Sequence, residues 1–212
     1  MKTGWLIAAL AALLMANPAA TAADATPQAL ALAQRYMAAT GGMYQTIEQQ
    51  AYVAAGIMGD TPTSHARQHA LQEAADQHRA ELTALDGQVA ALMAQTFTEA
   101  ELTAAVTFLE SPVGRAITEK KNAYFAALFA RDRPALGFTP EENAALAAFD
   151  QTPEAISMKA KAPALLAQTL ALSTPVQRTL RDSAKTIYCH ETRKCTDGDN
   201  DFDQRSGPTL RE

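Results

Sequence analysis

Apolar side chains recur every three or four residues through most of the chain, and nowhere do they alternate with polar ones between Gly or Asn turns, so the pattern predicts helices and no hairpins. The clearest run is Leu71, Ala75, His78, Leu82, Leu85, Val89 and Leu92, whose steps alternate four and three. That heptad rhythm predicts one long helix from about Ser64 to Gln95, packed along an antiparallel neighbour of the same chain. Before it, Leu30, Ala33, Tyr36 and Met37 share one side of a helix from Pro27 to about Thr40, which Gly41-Gly42 stops. A second helix is expected over Met43 to Met58, ended by the turn Gly59-Asp60-Thr61-Pro62.

After Gln95 polar punctuation becomes the stronger signal. Thr98-Glu99-Ala100-Glu101 is a capping box: the threonine oxygen accepts from the third backbone amide while Glu101 reaches back to the cap. Phe97 and Leu102 flank it as a hydrophobic staple. This helix ends at Glu110, and Ser111-Pro112 opens the next, with proline where its missing N–H does no harm. That next helix continues through Ile117, Tyr124 and Leu128 to about Ala130.

The pattern then repeats at one constant offset. Phe138-Thr139-Pro140-Glu141-Glu142 matches Phe97 to Glu101, Phe149 matches Phe108, Thr152-Pro153 matches Ser111-Pro112, and Lys161 matches Lys120. The second copy is degraded: Asn143 replaces Leu102, Ala155 replaces Gly114, and Pro163 is expected to kink its longer helix. A last helix is predicted to open at Thr174-Pro175-Val176-Gln177 and to run to about Cys189. The fold class is therefore all-α, a multi-helix bundle of antiparallel helices with a duplicated helix-hairpin unit, the copies covering about 97–130 and 138–171.

The ends assign the compartment. Lys2, the uncharged apolar run Trp5 to Ala16, the break at Asn17-Pro18 and the small residues Ala20-Thr21-Ala22 predict a cleavable signal peptide over 1–22. Its apolar run of roughly 12 residues is shorter than the ~20 that cross a bilayer, and no later run is apolar enough to span a membrane. The expectation is a periplasmic protein with a single helical domain over 23–190 and a disordered acidic tail over 191–212, marked by Asp197, Asp199, Asp201 and Asp203. A formal net charge of -5 without clustered Lys or Arg excludes the electrostatic footprint of nucleic-acid binding.

Cys189 and Cys195 are the only cysteines, and an oxidising compartment predicts a disulfide between them. Six residues of continuous helix would separate their Cα atoms by about 9 Å along the axis, beyond the ~7 Å a disulfide spans. The helix must therefore end between them.

The stretch Phe97-Thr98-Glu99-Ala100-Glu101-Leu102, then Phe108, then Ser111-Pro112-Val113-Gly114, resembles the signature of the domain of unknown function 2059 family, which comprises exported, mostly helical bacterial proteins. The looser helical region from about Leu32 is similar in character, so the likeness covers a little over half of the mature chain. Family members often carry tyrosine after the phenylalanine, where this chain has Leu109. The resemblance implies an all-helical envelope protein and brings no catalytic residues with it.

Candidate chemistry is sparse. His65 and His69 share a helix face with Gln72 and Asp76, and two imidazoles at that spacing can chelate a divalent metal. A catalytic zinc needs a third ligand, and Ala66 stands where the metalloprotease motif needs glutamate, so two solvated histidines are the simpler reading. His78 lies in the apolar seam and reads as a hydrogen-bonded core residue. The tail aspartates lack a calcium loop's glycine and glutamate, since Phe202 and Pro208 occupy those places. Glu99, Glu101, Glu141 and Glu142 are accounted for as helix starts, where carboxylates favour the dipole. No phosphate-cradling loop, Gly-x-Ser-x-Gly elbow or Ser-x-x-Lys element is present, and the disulfide leaves no thiol nucleophile.

With no catalytic residue and no cofactor indicated, the leading expectation is a non-enzymatic binding or scaffolding protein with a protein or peptide partner in the envelope. Met37, Met43 and Met58 are candidates to line its binding surface. So are Tyr36, Tyr44, Tyr52, Phe125 and Phe129. Ordinary core packing is the competing role for all of them. The alternatives are a metal-binding protein using His65 and His69, and a hydrolase whose site assembles only in three dimensions.

Overall fold

The computed structural model describes residues 25–43, 62–126, 136–193 and 195, with the backbone alone at 64, 125 and 126. Among them the chain forms seven helices: α1 (Pro27–Thr40), α2 (Pro62–Gln77), α3 (Arg79–Thr96), α4 (Glu99–Glu110), α5 (Pro112–Ala126), α6 (Pro140–Asp150) and α7 (Pro153–Thr192). No strand occurs among the described residues. The expected leader, the helix expected over Met43 to Met58, the continuation to Ala130 and most of the acidic tail lie outside them.

The helices begin where local chemistry places them. Thr26 caps α1, its hydroxyl accepting the Ala29 amide at 3.0 Å, and Gly41 ends that helix at φ 82, a conformation that costs glycine nothing. Thr98 and Thr139 form full capping boxes with Glu101 and Glu142. Ser111 accepts the Gly114 amide at 3.0 Å and Thr152 the Ala155 amide at 3.2 Å. Phe97 and Leu102 are both buried, as a staple requires. Asn143 takes Leu102's place differently: its amide donates to the carbonyls of Phe138 and Thr139.

Two expectations need correction. The long helix from Ser64 to Gln95 breaks at His78, which leaves helical geometry at φ -102, ψ 24 while its backbone still bonds to Ala74 and Leu82. His78 is also half-buried, its Nδ1 lying 3.3 Å from Glu81, so it does not belong to the sealed core. Second, no new helix opens at Thr174-Pro175: α7 runs unbroken through both Pro163 and Pro175. Thr174 caps nothing, donating instead to the Leu170 carbonyl, while the Gln177 amide donates to the Ser173 hydroxyl. A proline interrupts only the bond to the preceding turn, and burial of Ser173, Leu180, Ala184 and Tyr188 along one side holds the helix together past it.

The core has two centres. One joins α1, α3 and α4 through Leu32, Met37, Leu85, Val89, Leu102 and Val106. The other joins α2 to the second half of α7 through Ala70, Ala74, Leu180, Ala184 and Tyr188. Val176 packs against both, so α7 ties the molecule together. The seam of α3 follows the expected Leu82, Leu85 and Val89 and then moves to Met93, with Leu92 only half-buried. A straight helix drifts off a strict heptad in this way.

Candidate functional site

Glu101 and Glu142, the carboxylates most open to misreading as an acid/base pair, are held by structure. Each accepts its own cap amide at 2.7 Å, Glu101 from Thr98 and Glu142 from Thr139. Lys161 donates to both oxygens of Glu101, at 2.8 and 2.7 Å, and Lys120 to both of Glu142, at 2.7 and 2.6 Å. Each lysine thus serves the cap of the other matched segment, and the matched rings Phe108 and Phe149 stack at 4.5 Å. Burial alone would push the Glu101 carboxyl up, but Lys161, Ser157 and the Thr98 amide together hold it below its ordinary value. Lys120, and then the Thr139 amide, do the same for Glu142. Glu99 accepts from Thr26, and Glu141 bonds within its own cap. Strongly anchored carboxylates of this kind are poor proton carriers.

A groove of about 520 Å³ lies between α7 and the layer formed by α1, α3 and α4. Met37, Met43 and Met93 line one wall; Met158, Leu165 and Leu166 line the other. Its α7 wall extends from Ala155 to Gln177, about 33 Å of helix at ~1.5 Å per residue. From Ala162 to Leu172 this helix carries no charged residue, yet Leu166 is 45% and Leu170 41% exposed. Lys159, ion-paired with Asp150 at 2.9 Å, is a cation at the rim. Tyr36 also lines the groove, and burial pushes its hydroxyl above the ordinary range.

Of the residues proposed from sequence as a binding surface, Tyr36, Met37 and Met43 do line this groove. Tyr44, Tyr52, Met58 and Phe129 lie outside the described residues, as does the Phe125 side chain. The α7 wall was not among those candidates; the uncharged run from 162 to 172 was the available signal.

At the far end of α7 the Cys189–Cys195 disulfide spans a helix terminus. The helix ends at Thr192, Arg193 turns left-handed at φ 57, and the two Cα atoms lie 5.1 Å apart. Here His69, Glu73 and Glu191 come together, with one ligand atom from each inside a 4.8 Å sphere of mutual distance. His69 thus meets two carboxylates, one of them from α7, and His65 is not part of that group.

Residues 83–130 match the model of a bacterial family described as "Uncharacterized protein conserved in bacteria (DUF2059)". The match takes in most of α3, all of α4 and α5, and the Phe97 to Gly114 motif that carries the resemblance. No curated protein and no solved structure matches the chain. No helix among the described residues is long and apolar enough to cross a membrane.

Proposed function

We propose that this chain, similar over residues 83–130 to an uncharacterized bacterial family, is a non-enzymatic binding protein of the cell envelope. Residues 1–22 direct its export, and the groove along α7 receives the apolar face of a protein or peptide segment. The groove carries this reading. A helix placed at a surface normally turns charge outward, whereas α7 keeps eleven successive uncharged residues there, Ala162 to Leu172, with leucines exposed. Four of the chain's seven methionines line the groove, and methionine's flexible thioether adapts to varied apolar partners. A wall about 33 Å long suits an elongated segment better than a compact metabolite. The cap glutamates, engaged by amides and lysines, support a binding role over an enzymatic one.

The test places a photo-cross-linking residue at Leu166 or, as control, at exposed Lys121 on α5. Irradiation with envelope extract should give discrete protein adducts at 166 that excess wild-type protein competes away and a Leu166→Asp/Leu170→Asp variant does not. Equal labelling from both positions, or equal competition by both proteins, removes the groove as the binding surface.

A further inference from the structure

We propose that His69, Glu73 and Glu191 form a divalent transition-metal site joining α2 to the last turn of α7. His69 and Glu73 stand one turn apart on the same face of α2, and Glu191 reaches them from the other helix. The His69 Nδ1 and Glu191 Oε1 atoms are 3.3 Å apart. Two ligands bound at ~2.0–2.1 Å to a tetrahedral ion sit roughly 3.4 Å apart, so this edge already has the required length. Ligand atoms lying within 4.8 Å of one another leave only a small rotamer adjustment for the third.

The backbone beneath these ligands is fixed. Ala70, Ala74, Ala184 and Tyr188 are all 0% exposed where α2 and α7 meet, and the disulfide brackets Glu191 between Cys189 and Cys195. Binding therefore orders side chains alone. All three ligands are exposed, so no charge has to be buried and water can complete the coordination. An adjoining cavity of about 400 Å³, lined by Glu73, His190 and Glu191 among others, leaves room for it. The donor set selects the class of ion: an imidazole with two carboxylates suits zinc and its first-row neighbours, whereas magnesium and calcium take oxygen alone. The cation would also relieve repulsion between the two carboxylates, which the single imidazole offsets only when protonated. The site lies about 20 Å along α7 from the groove's last residue, Gln177, so neither proposal depends on the other.

Calorimetric titration of the purified full chain with zinc tests it, beside His69→Ala, Glu191→Gln, Glu73→Gln and His65→Ala, each checked for folding by circular dichroism. The wild type should bind one equivalent. Loss of any of the three ligands should weaken binding by at least ~10-fold, and His65→Ala should bind as the wild type does. Absence of binding, or equal affinity in all five proteins, overturns the site. A His65→Ala loss as large as that of His69→Ala, with Glu191→Gln unaffected, overturns it in favour of the paired histidines.

Discussion

The crossed ion pairs offer the sharpest test of how the two matched segments hold together. Glu101 is 6% exposed and Lys161 33%, so the carboxylate is dry while the ammonium keeps a path to water. Replacing Lys161 with Met leaves a buried carboxylate with its Thr98 amide and without its cation. Breaking a fully buried pair costs ~3–5 kcal/mol, and a hydrogen bond to a charged group contributes ~1.5–3 kcal/mol. Glu101 retains the Thr98 amide and the Ser157 hydroxyl, so Lys161→Met should cost about 2–3 kcal/mol. Glu101→Gln keeps an acceptor for that amide and leaves a lysine that can turn to solvent, so about 2 kcal/mol is expected. The double variant has no stranded charge and should lose only about 3 kcal/mol in all, which sets the coupling at about 1.5 kcal/mol.

Urea unfolding of the mature chain at neutral pH measures this. The only tryptophan, Trp5, lies in the expected leader, so far-UV circular dichroism is the appropriate probe. At an m-value of ~2 kcal/mol/M each single substitution should lower the midpoint by about 1 M. Additivity of the two single effects to within ~0.5 kcal/mol would mean that Lys161 and Glu101 do not support one another, and the reasoning would fail.

Acid should destabilise the protein in a defined window. Glu101, Glu110 and Glu142 all titrate below the ordinary 4.5, Glu110 because Arg35 bonds to it. Below that pH the unfolded chain binds more protons than the native one, so stability is full above about 4.5 and falls as pH drops through the native values. Midpoints measured at several acid pH values should fall less steeply in Glu101→Gln; an identical slope would exclude Glu101 as a contributor. Gly114→Ala tests a close approach: an added Cβ would lie 1.9 Å from the Phe108 carbonyl oxygen. Helix propensity alone would make alanine better by ~1 kcal/mol, while overpacking against backbone costs ~1–3 kcal/mol. A net loss of about 1 kcal/mol in urea unfolding is expected, and stabilisation would refute the clash.

What could be read from sequence was local. A cap needs only a hydroxyl and an amide three residues on, so Thr98, Ser111, Thr139 and Thr152 announce their helices without help from the fold. The same rule misled at Thr174-Pro175, because whether a proline starts a helix or rides inside one depends on packing beyond it. Leu180, Ala184 and Tyr188 decide that from the next turns, against an α2 face distant in sequence. His69 was noticed for its spacing from His65, yet its carboxylate neighbour Glu191 comes from the far end of the chain, where the cysteine spacing revealed a helix end and not what faces it. The groove divides in the same manner. Met37 and Met43 were candidates from the sequence, whereas Met158 and Leu165 come to face them only through the packing of α7.

The two matched segments diverge where their surroundings differ. Leu102 and Val106 of α4 are buried beneath α1 and α3; the matching positions on α6, Asn143 and Ala147, face solvent. A staple leucine is useful only under a covering layer, so its replacement by a side chain that bonds its own turn follows from the missing cover. The cap glutamates and the lysines are present in both segments, because each lysine reaches the opposite cap and the contact needs both halves. Among the described residues, the first segment is therefore covered at these positions and the second is not. Met158, Leu165 and Val176 of α7 pack against the cluster of α1, α3 and α4, and Met37, Met93, Met158 and Leu165 also line the groove beside that contact. That open apolar surface is where the proposed partner segment would lie.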